Sequence, residues 1–238
     1  MKSTKRATLS PLMLILALML FAHTAWAAAA DDTPDTVLKK AFPQLKYDSI
    51  EPTDITGFYE VVAGQNIVYF YPEKNYLFVG EIYAPPGKSL TAEKKGMLAA
   101  KLVKTLPLDK AIKVGNGKKV VIEFTDPDCP YCKKVSEFFK NRTDVTRYVF
   151  LTPLAHPQAI KKVYYMLAAK DREKAYKEMM LGTTQPKLQE NYSDAIKALA
   201  QEHLELGKKI GVQGTPTMFV EGKQVVGANI PELEQLLK

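Results

Sequence analysis

The sequence predicts a mixed α and β architecture in two unequal parts. A small antiparallel β-rich domain comes first, one helix leads out of it, and a larger α/β domain with a helical insertion follows. Three observations carry this reading. Runs rich in tyrosine and phenylalanine alternate with short turns between residues 58 and 88. A leucine-faced stretch from Ser89 to Leu106 stops before Pro107. A β-branched run, Lys118 to Thr125, leads within a few residues into a helical stretch that opens on Cys129-Pro130-Tyr131-Cys132. The boundaries this implies are a leader over 1–27, the β-rich domain over 28–88, the linker helix over 89–107, and the α/β domain over 108–238, with its insertion at about 155–210.

The leader begins with Lys2, Lys5 and Arg6 and continues apolar from Leu9 to Ala22. That run is shorter than the roughly 20 residues a membrane span needs. It ends in Ala25-Trp26-Ala27, a small-x-small cleavage pattern, so the segment reads as a secretory signal peptide. The alternative is an uncleaved membrane anchor. Cleavage after Ala27 leaves 211 of the 238 residues and lowers the net charge from +7 to +4. The remaining lysines are spread over many elements. That is the pattern of a solvated surface and weighs against a nucleic-acid partner.

"DTPDTVLKKAF" opens with capping residues and predicts a short helix. "FYEVVAG", "NIVYFYPEKN" and "YLFVGEIYAPPG" predict three antiparallel strands joined by "GQN" and "PEKN" turns. Some sixty residues are few for an independent core, and an unpaired sheet edge invites a second copy of the chain. The other option is a sheet folded back onto the rest of its own chain. In the helix from Ser89, Leu98, Leu102 and Leu106 share one face. Ending before Pro107, it suits a rigid linker.

In the larger part, "KKVVIEFT" follows a "GNG" turn and predicts a buried strand. "CPYCKKVSEFFKN" places Val135, Phe138 and Phe139 at helical spacing, with Pro130 in the first turn, where proline is tolerated. Residues from Gln158 to about Leu181, and again from Tyr192 to Lys209, are helical by period, with Val163, Tyr164, Leu167 and Met179 among the apolar positions. The chain closes with two short strands, "MFV" and "QVV", around an "EGK" turn, and a helix over "PELEQLL". By sequence alone Thr215-Pro216, before the first of these strands, is an ordinary trans X-Pro bond.

Only two cysteines occur, Cys129 and Cys132. A bond between them would close a loop of two residues and restrain the unfolded chain little. A closed zinc site needs four ligands, and beyond the leader the histidines are His156 and His203. Redox chemistry remains. Cys129 falls at a helix N-terminus with Lys133 and Lys134 within a turn; dipole and cations both favour its thiolate, making it the nucleophile. Cys132, one turn inside, is placed to resolve a mixed disulfide. The period of "VVIEF" leaves open whether Glu123 faces water or the core. His156, in "PLAHPQ", reads as a loop histidine, with a redox-tuning or substrate-side role as the alternative.

The buried strand, the Cys-Pro-Tyr-Cys helix, Thr-Pro before a β-hairpin and the terminal helix together resemble a thioredoxin fold. "FTDPDCPYCKK" with "GVQGTPT" resembles more narrowly the bacterial periplasmic disulfide isomerases, DsbC and DsbG, the tetrapeptide being closer to DsbG wording. The resemblance spans nearly the whole chain after the leader. It implies Cys129 as the attacking and Cys132 as the resolving cysteine. It implies Thr215-Pro216 as a cis-proline pair that faces the sulfurs and holds substrate backbone, with Pro130 and Tyr131 on the same substrate-binding surface. It matches Glu123, six residues before Cys129, to the buried acid used for proton transfer. It further implies a periplasmic homodimer built on the N-terminal domain, without metal or organic cofactor. Its substrates would be misfolded disulfide-containing exported proteins, and a membrane donor of the DsbD type would keep it reduced. One departure stands out: DsbC carries a second disulfide in its helical part, and "YYMLAAKDREKAYKEMMLG" has no cysteine.

The expected function is thiol:disulfide interchange that isomerises or reduces wrong disulfides. A DsbA-like oxidase and a holdase-type chaperone are the alternatives. A fragment starting near Leu108 is expected to fold by itself, since it holds the whole thioredoxin unit.

Overall fold

A computed structural model describes residues 33–238. The predicted signal peptide lies outside the described residues, and among these no helix is long and apolar enough to cross a membrane.

Helix α1 (Pro34–Ala41) is capped by Thr33, whose hydroxyl accepts the Thr36 N–H. It buries Leu38 against Val61 and Phe70 of a sheet. That sheet has four antiparallel strands in sequence order, β1 (Ser49–Pro52), β2 (Tyr59–Ala63), β3 (Asn66–Tyr71) and β4 (Tyr76–Phe78). Three were predicted. The extra strand, "SIEP", is four residues long with no fully buried position, so it carries no periodic signal. The third predicted run also breaks after Phe78. Its end becomes β5 (Tyr83–Ala84), paired with β6 (Lys88–Ser89); Pro85 and Pro86, which have no N–H to give a ladder, stop it there. The turn between β2 and β3 reaches the larger domain, where the Gln65 side chain sits over Gly211.

Helix α2 (Leu90–Val103) starts at Ser89, whose hydroxyl accepts the Ala92 N–H. Its most buried residues are Thr91, Ala99, Ala100 and Val103. On the predicted leucine face Leu106 is fully inside, Leu102 packs half-buried against the same core, and Leu98 is half-buried, while the small Ala99 and Ala100 are buried more fully. Small side chains let the helix approach its neighbours closely, and that decides the face. Near its start, the Thr91 hydroxyl bonds the Tyr69 hydroxyl at 2.6 Å. Near its end, Ala99, Ala100 and Val103 join Phe124, Phe150, Ile210 and Phe219 in the core of the larger domain. The helix is therefore gripped at its start by the small sheet and at its end by the larger core.

The larger sheet has the order β11-β10-β8-β9-β7, made of β7 (Ile112–Val114), β8 (Lys119–Thr125), β9 (Val145–Leu151), β10 (Thr217–Val220) and β11 (Lys223–Val226). β8 and β9 are parallel, and the other pairs are antiparallel. Alternation along β8 divides its side chains between two cores. Ile122 and Phe124 face α2 and Ile210. Val121 faces α3 (Pro130–Phe139) and α7 (Ile230–Leu236) through Val135, Phe139 and Leu233. The insertion comprises a 3-10 turn (Pro157–Ala159), α4 (Ile160–Ala168), α5 (Arg172–Leu181) and α6 (Asp194–Ile210). The stretch predicted helical from Gln158 to about Leu181 holds two helices, because Asp171 caps a new start by accepting the Lys174 N–H at 2.9 Å.

His203 of α6 lies wholly inside. Its Nδ1 accepts the Leu151 N–H at 3.0 Å and its Nε2 donates to the Lys110 carbonyl at 3.0 Å. Burial pushes its pKa down from 6.5 to about 4. Between these values the unfolded chain binds a proton that the fold refuses. Stability is therefore expected to be full above about pH 6.5 and to fall by about 3 kcal/mol as pH drops through this window. Urea midpoints at pH 7 and pH 4.5 should show the loss, and His203→Gln should flatten it.

Candidate active site

The central strand β8 ends at Thr125, and residues 126–128 turn the chain into α3. Cys129 occupies the N-cap of that helix, in extended conformation with φ −75° and ψ 123°, and Pro130 takes the first turn. The proline costs nothing there because the first N–H groups of a helix have no partner within it. The two cysteines are free thiols in different surroundings. Cys129 is 6% exposed and sits behind exposed Pro130 and Tyr131, the latter 64% exposed. Cys132 is fully buried.

The Cys129 thiol points at the Thr215 carbonyl, 3.4 Å away. The Thr215–Pro216 bond is cis. The trans bond expected from sequence alone is corrected, and the cis pair implied by the resemblance stands beside the sulfur. Pro216 is tied down further by its carbonyl, which accepts the Gly227 N–H at 2.8 Å. Burial pushes the Cys132 thiol up to about 12, against the opposing pull of the Thr125 hydroxyl, the Asp126 N–H and the Thr215 hydroxyl. The Asp126 N–H reaches the Cys132 sulfur at 3.4 Å.

Glu123 is inside, which settles the side left open by its strand. Its Oε2 accepts from Arg147 Nη1 at 3.0 Å and its Oε1 accepts from the Tyr176 hydroxyl at 3.2 Å. Tyr176 also bonds Ser136 of α3 at 3.1 Å. Burial, then the Glu123 charge, hold the Tyr176 phenol protonated above its ordinary range. Both carboxylate oxygens are thus bonded to other groups, and neither hydrogen-bonds a cysteine. The structure places Glu123 in a buried network with Arg147 and Tyr176.

Asp126 and His156 form a closer pair. The Asp126 carboxylate is fully buried and meets His156 Nδ1 at 2.9 Å. Asp126, Thr125, Arg147 and Tyr176 were not singled out in the sequence. Arg147 could have been: it is the one charged residue in the run "VTRYVFL", where burial demands a partner. Asp126 offered only its place three residues before a cysteine at a helix start.

Two families match the chain: a thioredoxin-like domain over residues 106–238, and the N-terminal domain of disulfide bond isomerase proteins over residues 25–92. A probable thiol:disulfide interchange protein DsbC of Bordetella avium is 32% identical over 207 residues, which cover 84% of this chain and 73% of that protein. The thiol:disulfide interchange protein DsbC of Escherichia coli K12 is 26% identical over 220 residues, 91% of this chain and 90% of that protein. Among solved structures, a linker-deletion variant of Proteus mirabilis ScsC matches with a TM-score of 0.51 and 22% identity, covering 61% of this chain and 84% of that one. That likeness bears on the fold.

Proposed function

The chain belongs to the DsbC family of thiol:disulfide interchange proteins, disulfide isomerases of the thioredoxin superfamily, and from this premise we propose that Cys129 is its attacking thiol and Cys132 its resolving thiol. The Cys129 thiolate attacks one sulfur of a substrate disulfide. A Cys129–substrate disulfide forms and the substrate's other sulfur leaves as a thiolate. Two fates follow. The freed thiolate attacks another disulfide of the substrate, and the last exchange returns Cys129 as thiolate, so bonds are shuffled with no net electron transfer. Otherwise Cys132 loses its proton and attacks the Cys129 sulfur. The pair then closes as a disulfide and the substrate leaves as a dithiol, having taken two electrons.

The observation that carries this reading is the contrast between the sulfurs. Cys129, itself 6% exposed, lies just beneath exposed Pro130 and Tyr131, with the Thr215 carbonyl and Pro216 at its side, where an extended substrate segment fits. Cys132 is sealed below, with its pKa raised to about 12, so almost none of it is thiolate at neutral pH. Slow resolution lengthens the life of the mixed disulfide and gives the substrate time to rearrange, which favours isomerisation over simple reduction.

The N-terminal sheet gives the reading its second half. β1 and β4 are unpaired edges. Tyr76, Phe78, Val79 and Tyr83 lie exposed, and a cavity of about 280 Å³ is lined in part by Ile55, Phe58, Phe78 and Val79. We assign this surface to a second copy of the chain, making a periplasmic homodimer with two Cys129 sites. Its substrates are exported proteins with wrong disulfides, and a membrane donor of the DsbD type keeps the pair reduced.

Cys132→Ser should accumulate mixed disulfides with exported proteins, visible on non-reducing gels and lost when Cys129 is also replaced. Thiol trapping of the exported wild-type protein should find the pair mostly reduced. A mostly oxidised pair, or no adducts, would overturn the reading.

A further inference from the structure

The residues just before Cys129 are held by the insertion through two ion pairs. His156, ahead of the 3-10 turn, meets Asp126; Lys162 of α4 meets Asp128. The first pair is unlike a surface contact. Asp126 is fully buried, and its main chain touches both cysteines: its carbonyl accepts the Cys129 N–H at 3.1 Å, and its N–H points at the Cys132 sulfur at 3.4 Å. Its carboxylate accepts two main-chain N–H groups, from Asp128 at 2.9 Å and from His156 at 3.3 Å. Those bonds satisfy its oxygens but carry no net charge. The imidazole Nδ1 at 2.9 Å is the third partner, and of the three it is the one side chain able to carry a counter-charge. Lys162 is engaged by Asp128, and Lys133 and Lys134 point outward from α3.

A buried carboxylate beside a dithiol opposes the second negative charge that a thiolate brings. Whatever balances that carboxylate therefore sets how readily the dithiol holds a thiolate. We propose that His156 is a positioning residue for disulfide exchange: acting through Asp126, it offsets the buried charge beside Cys129 and holds the loop that carries the nucleophile. This rests on Cys129 being the attacking thiol. It also gives the insertion a task beyond covering the sheet, because the redox pair is tuned from a segment that lies outside the strand–helix unit bearing it.

The test uses the full-length protein equilibrated with glutathione buffers, together with the rate of Cys129 alkylation at fixed pH. His156→Ala should shift the equilibrium toward the Cys129–Cys132 disulfide by about tenfold, or about 30 mV more reducing. Alkylation should slow by roughly three- to tenfold. In an Asp126→Asn background, where no anion remains to balance, the same change at His156 should move neither value. If His156→Ala fails to fold, His156→Gln keeps a donor near Asp126 without the charge and is read by the same two measurements. An unchanged potential and alkylation rate in the His156 variant would overturn the proposal alone, and so would a shift that persists undiminished in the Asp126→Asn background. A wild-type protein that does not exchange with glutathione would overturn the dithiol reading together with it.

Discussion

Glutamine in place of Glu123 is expected to cost about 3–5 kcal/mol of stability, the usual loss when one partner of a buried ion pair is removed. The reason is Arg147. Its guanidinium is 5% exposed, lies over the rings of Phe139 and Tyr176, and has Glu123 as its counter-charge. Glutamine keeps the shape and one acceptor but leaves the cation unbalanced in the core. Urea unfolding of the single variant should show the loss. Leucine at 123 combined with methionine at 147 should recover most of it, since an apolar pair of similar volume carries no charge to bury. A Glu123→Gln variant with the wild-type midpoint would show that the carboxylate is not charge-paired there.

Truncation at Leu108 is expected to do comparable or greater damage. The strand–helix unit of the redox pair begins after that point, yet its core does not. Val103 and Leu106 are each 8% exposed, and with Ala99 and Ala100 they pack on Phe124, Phe150 and Phe219. Removing them strips about 1.5–3 kcal/mol for each large side chain and bares the phenylalanines. Against a total stability of about 5–15 kcal/mol that is enough to unfold the fragment or leave it marginal. A fragment starting at Ser89 keeps the helix and its cap and should melt cooperatively. Circular dichroism of the two fragments decides it; equal stability would show that α2 adds nothing to this core. These contacts stand against a self-sufficient fragment from Leu108, and the two fragments decide between the outcomes.

Local pattern carried much of the architecture. Lys118–Thr125 and the helix at Cys129 were legible because a β-branched run and a helical period of apolar residues are each written in adjacent residues. The hairpin around Glu221 and Gly222 was legible for the same reason. What escaped depends on partners far along the chain. Glu123 could be placed on neither face until Arg147 and Tyr176 came to it from another strand and from the insertion. Along α2 the period points to the leucines and passes over Ala99 and Ala100, which close packing buries more fully. The strand "SIEP" had too few buried positions to announce itself. At the site, both cysteines were plain from the sequence, but the Asp126–His156 contact joins residues 30 positions apart and has no local signature.

Helix α2 is anchored near its start by the Thr91–Tyr69 bond and near its end by Ala99, Ala100 and Val103 in a different core. A rod gripped at both ends has a phase as well as a length. One residue added between the grips would lengthen it by about 1.5 Å but turn one domain against the other by about 100°. Seven residues make nearly two whole turns and leave the phase about 20° off. Insertions in this segment should therefore survive selection only in steps close to whole turns, so that the reach of the arm changes in discrete increments while its bearing is preserved.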